Sequence, residues 1–134
     1  MAIVTCDQGE GLALKAILNH TAGQNLVLKL YKSNTTPGET DTEATYTEAD
    51  FTGYSNVTLT GSSWSVSGTA PTTASYAQQT FTSSAGSQSQ SVYGYYLVQT
   101  TSGKLIFAER FSDGPYVIVN NGDAIKVTPS ITCD

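Results

Sequence analysis

Charge is scarce in this chain of 134 residues. Only 13% of it is charged, against ~25% in ordinary globular domains. The basic residues are Lys15, Lys29, Lys32, Lys104, Arg110 and Lys126, which form no run, and the net charge is −5. That balance weighs against phosphate contacts, and no nucleic-acid partner is expected. Histidine is scarcer still. His20 stands alone, so a histidine-built metal cluster is excluded. No neighbouring nucleophile or acid suggests a Ser-His-acid system, and His20 is read as a helix-end residue near backbone carbonyls. Two cysteines, Cys6 and Cys133, are too few for a disulfide scaffold and match no zinc spacing. Two unpaired thiols are the expected state, and a bond tying the termini together is the alternative. No apolar run approaches the ~20 residues of a membrane span, and no membrane partner is expected. The first residues lack the basic-then-apolar order of a signal peptide. The expectation is a chain that stays where it is made or leaves within an assembly.

What the chain has instead is hydroxyl. About a quarter of it is Ser or Thr, and eight residues are Tyr. Both kinds suit pleated, half-buried surfaces. The length fits one domain, 1–134, with one hydrophobic core. Residues 1–23 read as a helical segment and 24–134 as a β-sandwich. Over 7–22, Leu12, Ala13, Ala16, Ile17 and His20 recur near helical spacing, and Leu14 and Leu18 widen the stripe. Asp7 and Glu10 resemble a capping box, and Gly23 is a C-terminal stop. From there the period changes to two. Strands are expected at 25–32, 54–59, 64–67, 76–82, 92–100, from 105 to about 111, at 116–119 and from 125 to the end. Residues 45–51 are ambiguous between a strand and a helical turn. Residues 33–42 read as a polar loop with a Pro-Gly turn, 68–75 as a loop, and 83–91 as a hairpin loop or an exposed mobile arm. Over 92–100, Val92, Tyr96 and Val98 are placed on one face and Tyr93, Tyr95 and Leu97 on the other. Leu105, Phe107 and Phe111 mark the inward face of the next strand, with Glu109 on the same parity. Asn120-Asn121-Gly122-Asp123 is a hairpin signal. The fold expected is therefore all-β: an antiparallel sandwich, jelly-roll-like, with about eight strands and one N-terminal helix.

No constellation for catalysis, metal or cofactor emerges from these residues. Glu39, Asp41 and Glu43 alternate as oxygen ligands would, but lack the Gly and closing Glu of a calcium loop, so a solvated loop is the reading. Glu48, Asp50 and Glu109 are conceivable acids for glycoside hydrolysis, with no pattern that pairs them. An inward Glu109 needs a partner. The aromatic group Tyr93, Tyr95, Tyr96, Phe107, Phe111 and Tyr116 serves either core and subunit contact, the favoured reading, or a sugar platform.

Several stretches form a familiar set. They are Leu28-Lys29-Leu30-Tyr31 before Asn34-Thr35-Thr36-Pro37, and Tyr46-Thr47-Glu48-Ala49-Asp50-Phe51-Thr52-Gly53-Tyr54. With them go Gln79-Thr80-Phe81-Thr82, Val92-Tyr93-Gly94-Tyr95-Tyr96, Ala108-Glu109-Arg110-Phe111, and Asn121-Gly122-Asp123 before Val127-Thr128-Pro129. From about residue 25 onward the chain resembles small proteins encoded among the structural genes of tailed bacteriophages. The N-terminal part and the cysteines are not carried by the resemblance. It implies a decoration or cement protein on the capsid surface, assembled in the host cytoplasm. It also implies the major capsid protein as partner, a homo-oligomer (a trimer favoured), no active site and no cofactor. Candidate capsid or subunit contacts are then Leu14, Leu18, Asn34, Thr36, Pro37, Glu39, Tyr93, Tyr95 and Arg110. The alternatives are a carbohydrate- or receptor-binding module of a phage fibre, and a tail or head–tail joining protein.

Overall fold

A computed structural model describes residues 25–133 together with Leu14 and Ala16. The helix expected over 7–22 lies outside the described residues, apart from Leu14 and Ala16, which are both helical. The rest is mostly β, and every strand pair is antiparallel.

Eleven strands occur among the described residues: β1 (Leu26–Tyr31), β2 (Val57–Leu59), β3 (Ser65–Ser67), β4 (Thr72–Ser75), β5 (Gln79–Thr82), β6 (Gln90–Val92), β7 (Gly94–Gln99), β8 (Leu105–Arg110), β9 (Tyr116–Ile118), β10 (Ala124–Val127) and β11 (Ser130–Cys133). The count exceeds the expected eight for local reasons. Two expected strands are each interrupted, giving β6–β7 and β10–β11. The loop expected over 68–75 contains β4. Its sequence Thr-Thr-Ala-Ser does alternate, with Thr72 and Ala74 buried, but the inward side chains are a threonine and a single methyl group rather than large apolar ones. The ambiguous 45–51 stretch begins with a single helical turn at Glu43–Thr45 and touches β1 by one bridge, Tyr31 to Glu48.

The strands form a four-stranded sheet in the order β2-β1-β7-β8, a three-stranded sheet β11-β4-β3, and two ribbons, β10-β5 and β6-β9. β1 shows how sequence sets the arrangement. Leu26, Leu28 and Leu30 point to one face and enter the main core, beside Leu59, Trp64, Ala74, Phe81, Leu97 and Ile125. Their neighbours Val27 and Tyr31 point to the other face and join Tyr46, Tyr96 and Val98 in a second cluster, as the two-residue period of a strand requires. The four-stranded sheet is thus apolar on both sides. The second side is covered by Tyr46, from the chain that follows β1: its ring stacks on Tyr96 with centroids 5.1 Å apart.

Two extra residues alter the expected faces. Tyr93 belongs to neither β6 nor β7; its N–H donates to Tyr31 O and its carbonyl accepts from Phe111 N. This shifts the parity, so Val92 joins Tyr95 and Leu97 in the main core, while Tyr93 packs on the second cluster. In β8 the register with β7 jumps from Phe107 to Leu105, leaving Ile106 as an inserted residue. Leu105 therefore leaves the Phe107 face and packs with the second cluster, as expected for a bulge. Gly94, beside the first shift, has no room for a side chain. A Cβ there would lie 2.1 Å from Glu109 O and 2.6 Å from the Tyr31 ring.

The 120–123 turn forms as its residues suggest, with Gly122 at φ +90° and the Asp123 carboxylate accepting from Val119 N and Asn120 N. It does not close a hairpin. β9 pairs with β6 and β10 with β5, so the turn carries the chain from one ribbon to another.

Candidate functional site

The residues that arrive together surround β8 and the loop after β1. Arg110, last in β8, reaches back across the sheet. Its Nη2 donates to Asn34 Oδ1 at 2.8 Å and its Nη1 to Thr35 O at 3.0 Å. Its guanidinium lies 5.0 Å from the centroid of the Tyr93 ring, a cation–π distance. The Tyr31 hydroxyl donates to the same Thr35 carbonyl at 3.3 Å. Asn34, Tyr93 and Arg110 therefore form one clamp on the start of the loop.

Further along, Asp41 folds the loop onto the sheet. Its Oδ2 accepts from the Tyr46 hydroxyl at 2.6 Å and from Gly38 N at 2.8 Å. The Tyr46 hydroxyl, then the Gly38 N–H, hold the Asp41 carboxyl below the ordinary carboxylate range by stabilising its charged form. Burial, with Asp41 nearby, pushes the Tyr46 hydroxyl well up. Pro37 and Glu39 border a shallow cavity of about 420 Å³ between this loop and β8. Thr36 is exposed outside it.

A second anchor is Lys29, whose ammonium lies 2.8 Å from Glu43 Oε1 and 3.1 Å from Glu48 Oε2. Burial works against its charge, but the two carboxylates outweigh burial and raise its pKa. Glu48 Oε1 also accepts from Tyr54 Oη at 2.9 Å and from Asn56 Nδ2 at 3.0 Å. Asp41 and Glu43 are thus turned to partners within the chain. Among the described residues no group of three or more His, Cys, Asp or Glu is placed to hold a metal ion.

Residues 83–91 are tied down rather than free. Gln90 Oε1 accepts from Asp50 N and Phe51 N at 3.0 and 3.2 Å, and its Nε2 donates to Asp50 Oδ1. Gln88 Oε1 accepts from Thr52 N at 2.7 Å, while its Nε2 donates to Ser83 Oγ and Ala85 O. These two side-chain amides take the place of a neighbouring strand for residues 50–52. The mobile-arm expectation fails because the Gln residues of a low-complexity stretch bond three successive backbone N–H groups about 40 residues away, those of Asp50 and Thr52 exposed and that of Phe51 part-buried. No local sequence signal announces such a pairing.

Two candidate contacts are spent inside the chain. Leu14 is 1% exposed and Tyr95 7% exposed, and both lie in the main core. A side chain with so little free surface has little to offer a partner. Tyr95 instead donates its hydroxyl to the Glu109 carboxylate; Glu109 keeps the parity expected of it but is exposed on the edge strand β8 rather than turned inward. Leu18, His20 and Cys6 lie outside the described residues, and with Cys6 goes the question of a Cys6–Cys133 bond.

These features define a mostly β, antiparallel protein whose polar loops are fastened to a doubly covered sheet. In comparisons with known proteins, no family model, no curated protein and no solved structure matches the chain.

Proposed function

We propose that the chain is a virion structural protein: a capsid decoration or cement protein that binds the major capsid protein on the outside of a phage head. In this reading the β2-β1-β7-β8 sheet with β6-β9 packs as one layer and β3-β4-β11 with β5-β10 as the other, a jelly-roll-like sandwich. One core drawing residues from all four sheets supports that packing. The protein works as a homo-oligomer, a trimer, and performs no catalysis.

The observation that carries the reading is the fastened 33–50 loop. A protein that reinforces a shell under internal pressure must bind without first ordering its contact surface, because ordering costs affinity. The Arg110 clamp, the Asp41–Tyr46 bond and the Lys29–Glu43 pair hold this loop in one shape. Asn34, Thr36 and Glu39 stay exposed on it. The sugar-platform alternative needs a row of exposed aromatic faces. Among the described residues only Tyr116 is an exposed large aromatic, while Tyr95 and Tyr96 are packed inside.

The test is mass spectrometry on purified particles of the phage that encodes the chain. A copy number in fixed proportion to the major capsid protein supports the reading. A few copies per particle, as on a tail or fibre, or none, would remove it.

A further inference from the structure

One side of the molecule is a seam of unpaired strand edges. Among the described residues β8 pairs only with β7, β9 only with β6, β10 only with β5, and β11 only with β4. Residues of β9 and β10 line one cavity and residues of β8 and β11 another, and no ladder joins either pair. Two cavities lie here: one of about 440 Å³ between β9 and β10, and one of about 300 Å³ between β11 and the β7–β8 face that carries Tyr95, Leu97 and Phe107. Protein folds ordinarily blunt such edges with charge, proline or a covering element. Here β9 and the residue after it present apolar side chains instead: Tyr116, Val117 and Val119 are 37%, 51% and 40% exposed. They are the exposed large hydrophobics of the described chain, gathered in one place. Behind them Tyr116 packs on Phe111 and Phe111 on Tyr95, so the β9 side of the seam rests on the core.

The charges around the gap are unequal. Glu109 lines the smaller cavity, and Asp123 and Lys126 line the larger. Asp113 is hydrogen-bonded to Tyr116 at the seam's edge. Three acids against one lysine favour a positively charged occupant. A second copy of this chain, added edge to edge, would set these same acids against each other.

We propose that the seam is a docking site for an extended segment of a partner polypeptide. That segment has alternating apolar side chains and basic flanks, and adds as a strand along β9 and β10. Its backbone pairs with the free edges, its apolar side chains cover Val117 and enter the larger cavity, and its flanking cations meet Glu109, Asp113 and Asp123. This is strand addition, in which main-chain bonds give affinity and alternate pockets give selectivity. The inference stands on the seam alone. Loss of the shell reading leaves it intact, and its own failure leaves the shell reading intact.

The test uses the full chain and two synthetic peptides, each with a Val-Thr-Val-Thr-Val centre, one flanked by lysines and one by glutamates. Titration with amide hydrogen exchange as readout is expected to show binding of the lysine-flanked peptide, with protection at 116–118 and 124–127. The glutamate-flanked peptide should bind about tenfold more weakly, and added salt should narrow the difference. Val117→Asp, at an exposed position, should weaken binding, and Lys126→Glu should strengthen it. No binding, equal binding of the two peptides, or protection elsewhere would overturn the proposal. So would protection of 116–118 that grows with protein concentration in the absence of peptide, because a second copy would then be the occupant.

Discussion

Arg110 Nη2 lies 2.8 Å from Asn34 Oδ1, joining the end of β8 to the first residues after β1 across 76 positions of sequence. The fork of the guanidinium makes this possible. One nitrogen takes the Asn34 side chain, another the Thr35 carbonyl, and the flat face remains over Tyr93. Arg110→Ala should cost about 1.5 kcal/mol, the low end for hydrogen bonds to a charged donor, because one of its two bonds is exposed. It should also speed amide exchange selectively in the 33–42 loop. Arg110→Lys should recover little, because an ammonium lacks the fork and the planar face. Denaturant unfolding and hydrogen exchange on the two variants check this.

Gln90 bridges Asp50 and Phe51 through three hydrogen bonds. Gln90→Ala leaves two backbone N–H groups without their acceptor; the Asp50 one is exposed and the Phe51 one part-buried, so water replaces part of the loss and the cost should be about 0.5–1.5 kcal/mol. Gln90→Glu should be worse than a neutral exchange, because it replaces the N–H donor facing Asp50 with a second carboxylate. Faster exchange of the Asp50 and Phe51 amides in both variants, with β1 unchanged, is the expected pattern.

Gly94 separates a steric requirement from a merely flexible position. Its absent Cβ would overlap Glu109 O and the Tyr31 ring, so Gly94→Ala should destabilise by about 1–3 kcal/mol, as overpacking does. Gly122→Ala meets no neighbouring atom and should cost something by backbone strain alone, since φ there is +90°. Thermal melts of the pair distinguish the two causes.

Alkaline pH should unfold the protein through its tyrosines. Burial raises the hydroxyls of Tyr46, Tyr54 and Tyr95 well above the ordinary ~10, and that of Tyr96 to about 12. A group whose folded pKa is raised contributes stability that is full below its unfolded pKa and is lost as pH rises through the folded one. Lys29, also raised, acts in the same direction. Stability should therefore fall from about pH 10 upward. Absorbance titration should show these tyrosines ionising late and together with unfolding; ionisation of all eight near pH 10 with the fold intact would contradict it.

How far the sequence was legible depends on the length of chain involved. β1 was readable because Leu26, Leu28 and Leu30 recur at every second position between Val27, Lys29 and Tyr31, and burial follows that alternation up to Leu30. β7 was readable too, with Tyr95 and Leu97 on one face and Tyr96 and Val98 on the other, but Val92 and Tyr93 before it were assigned to the wrong sides, because the extra residue at Tyr93 shifts the parity there. β4 was hidden because its buried residues, Thr72 and Ala74, are small and carry no large apolar side chain. The Asn120–Asp123 turn was legible as a turn, yet which strands it joins is decided by partners at β5 and β6. In the candidate site, Asn34, Tyr93 and Arg110 were each named and do meet. The Gln88 and Gln90 anchors and the Lys29–Glu43–Glu48 group were invisible, since each depends on contacts 14 to 40 residues apart.

The shell-binding role remains the proposal to be tested. Cryo-electron microscopy of intact particles of the encoding phage tests it most directly. The account predicts trimers of this chain outside the capsid, with the 33–50 loop against the major capsid protein. Density for the chain on the tail axis or a fibre, or particles that lack it, would contradict it.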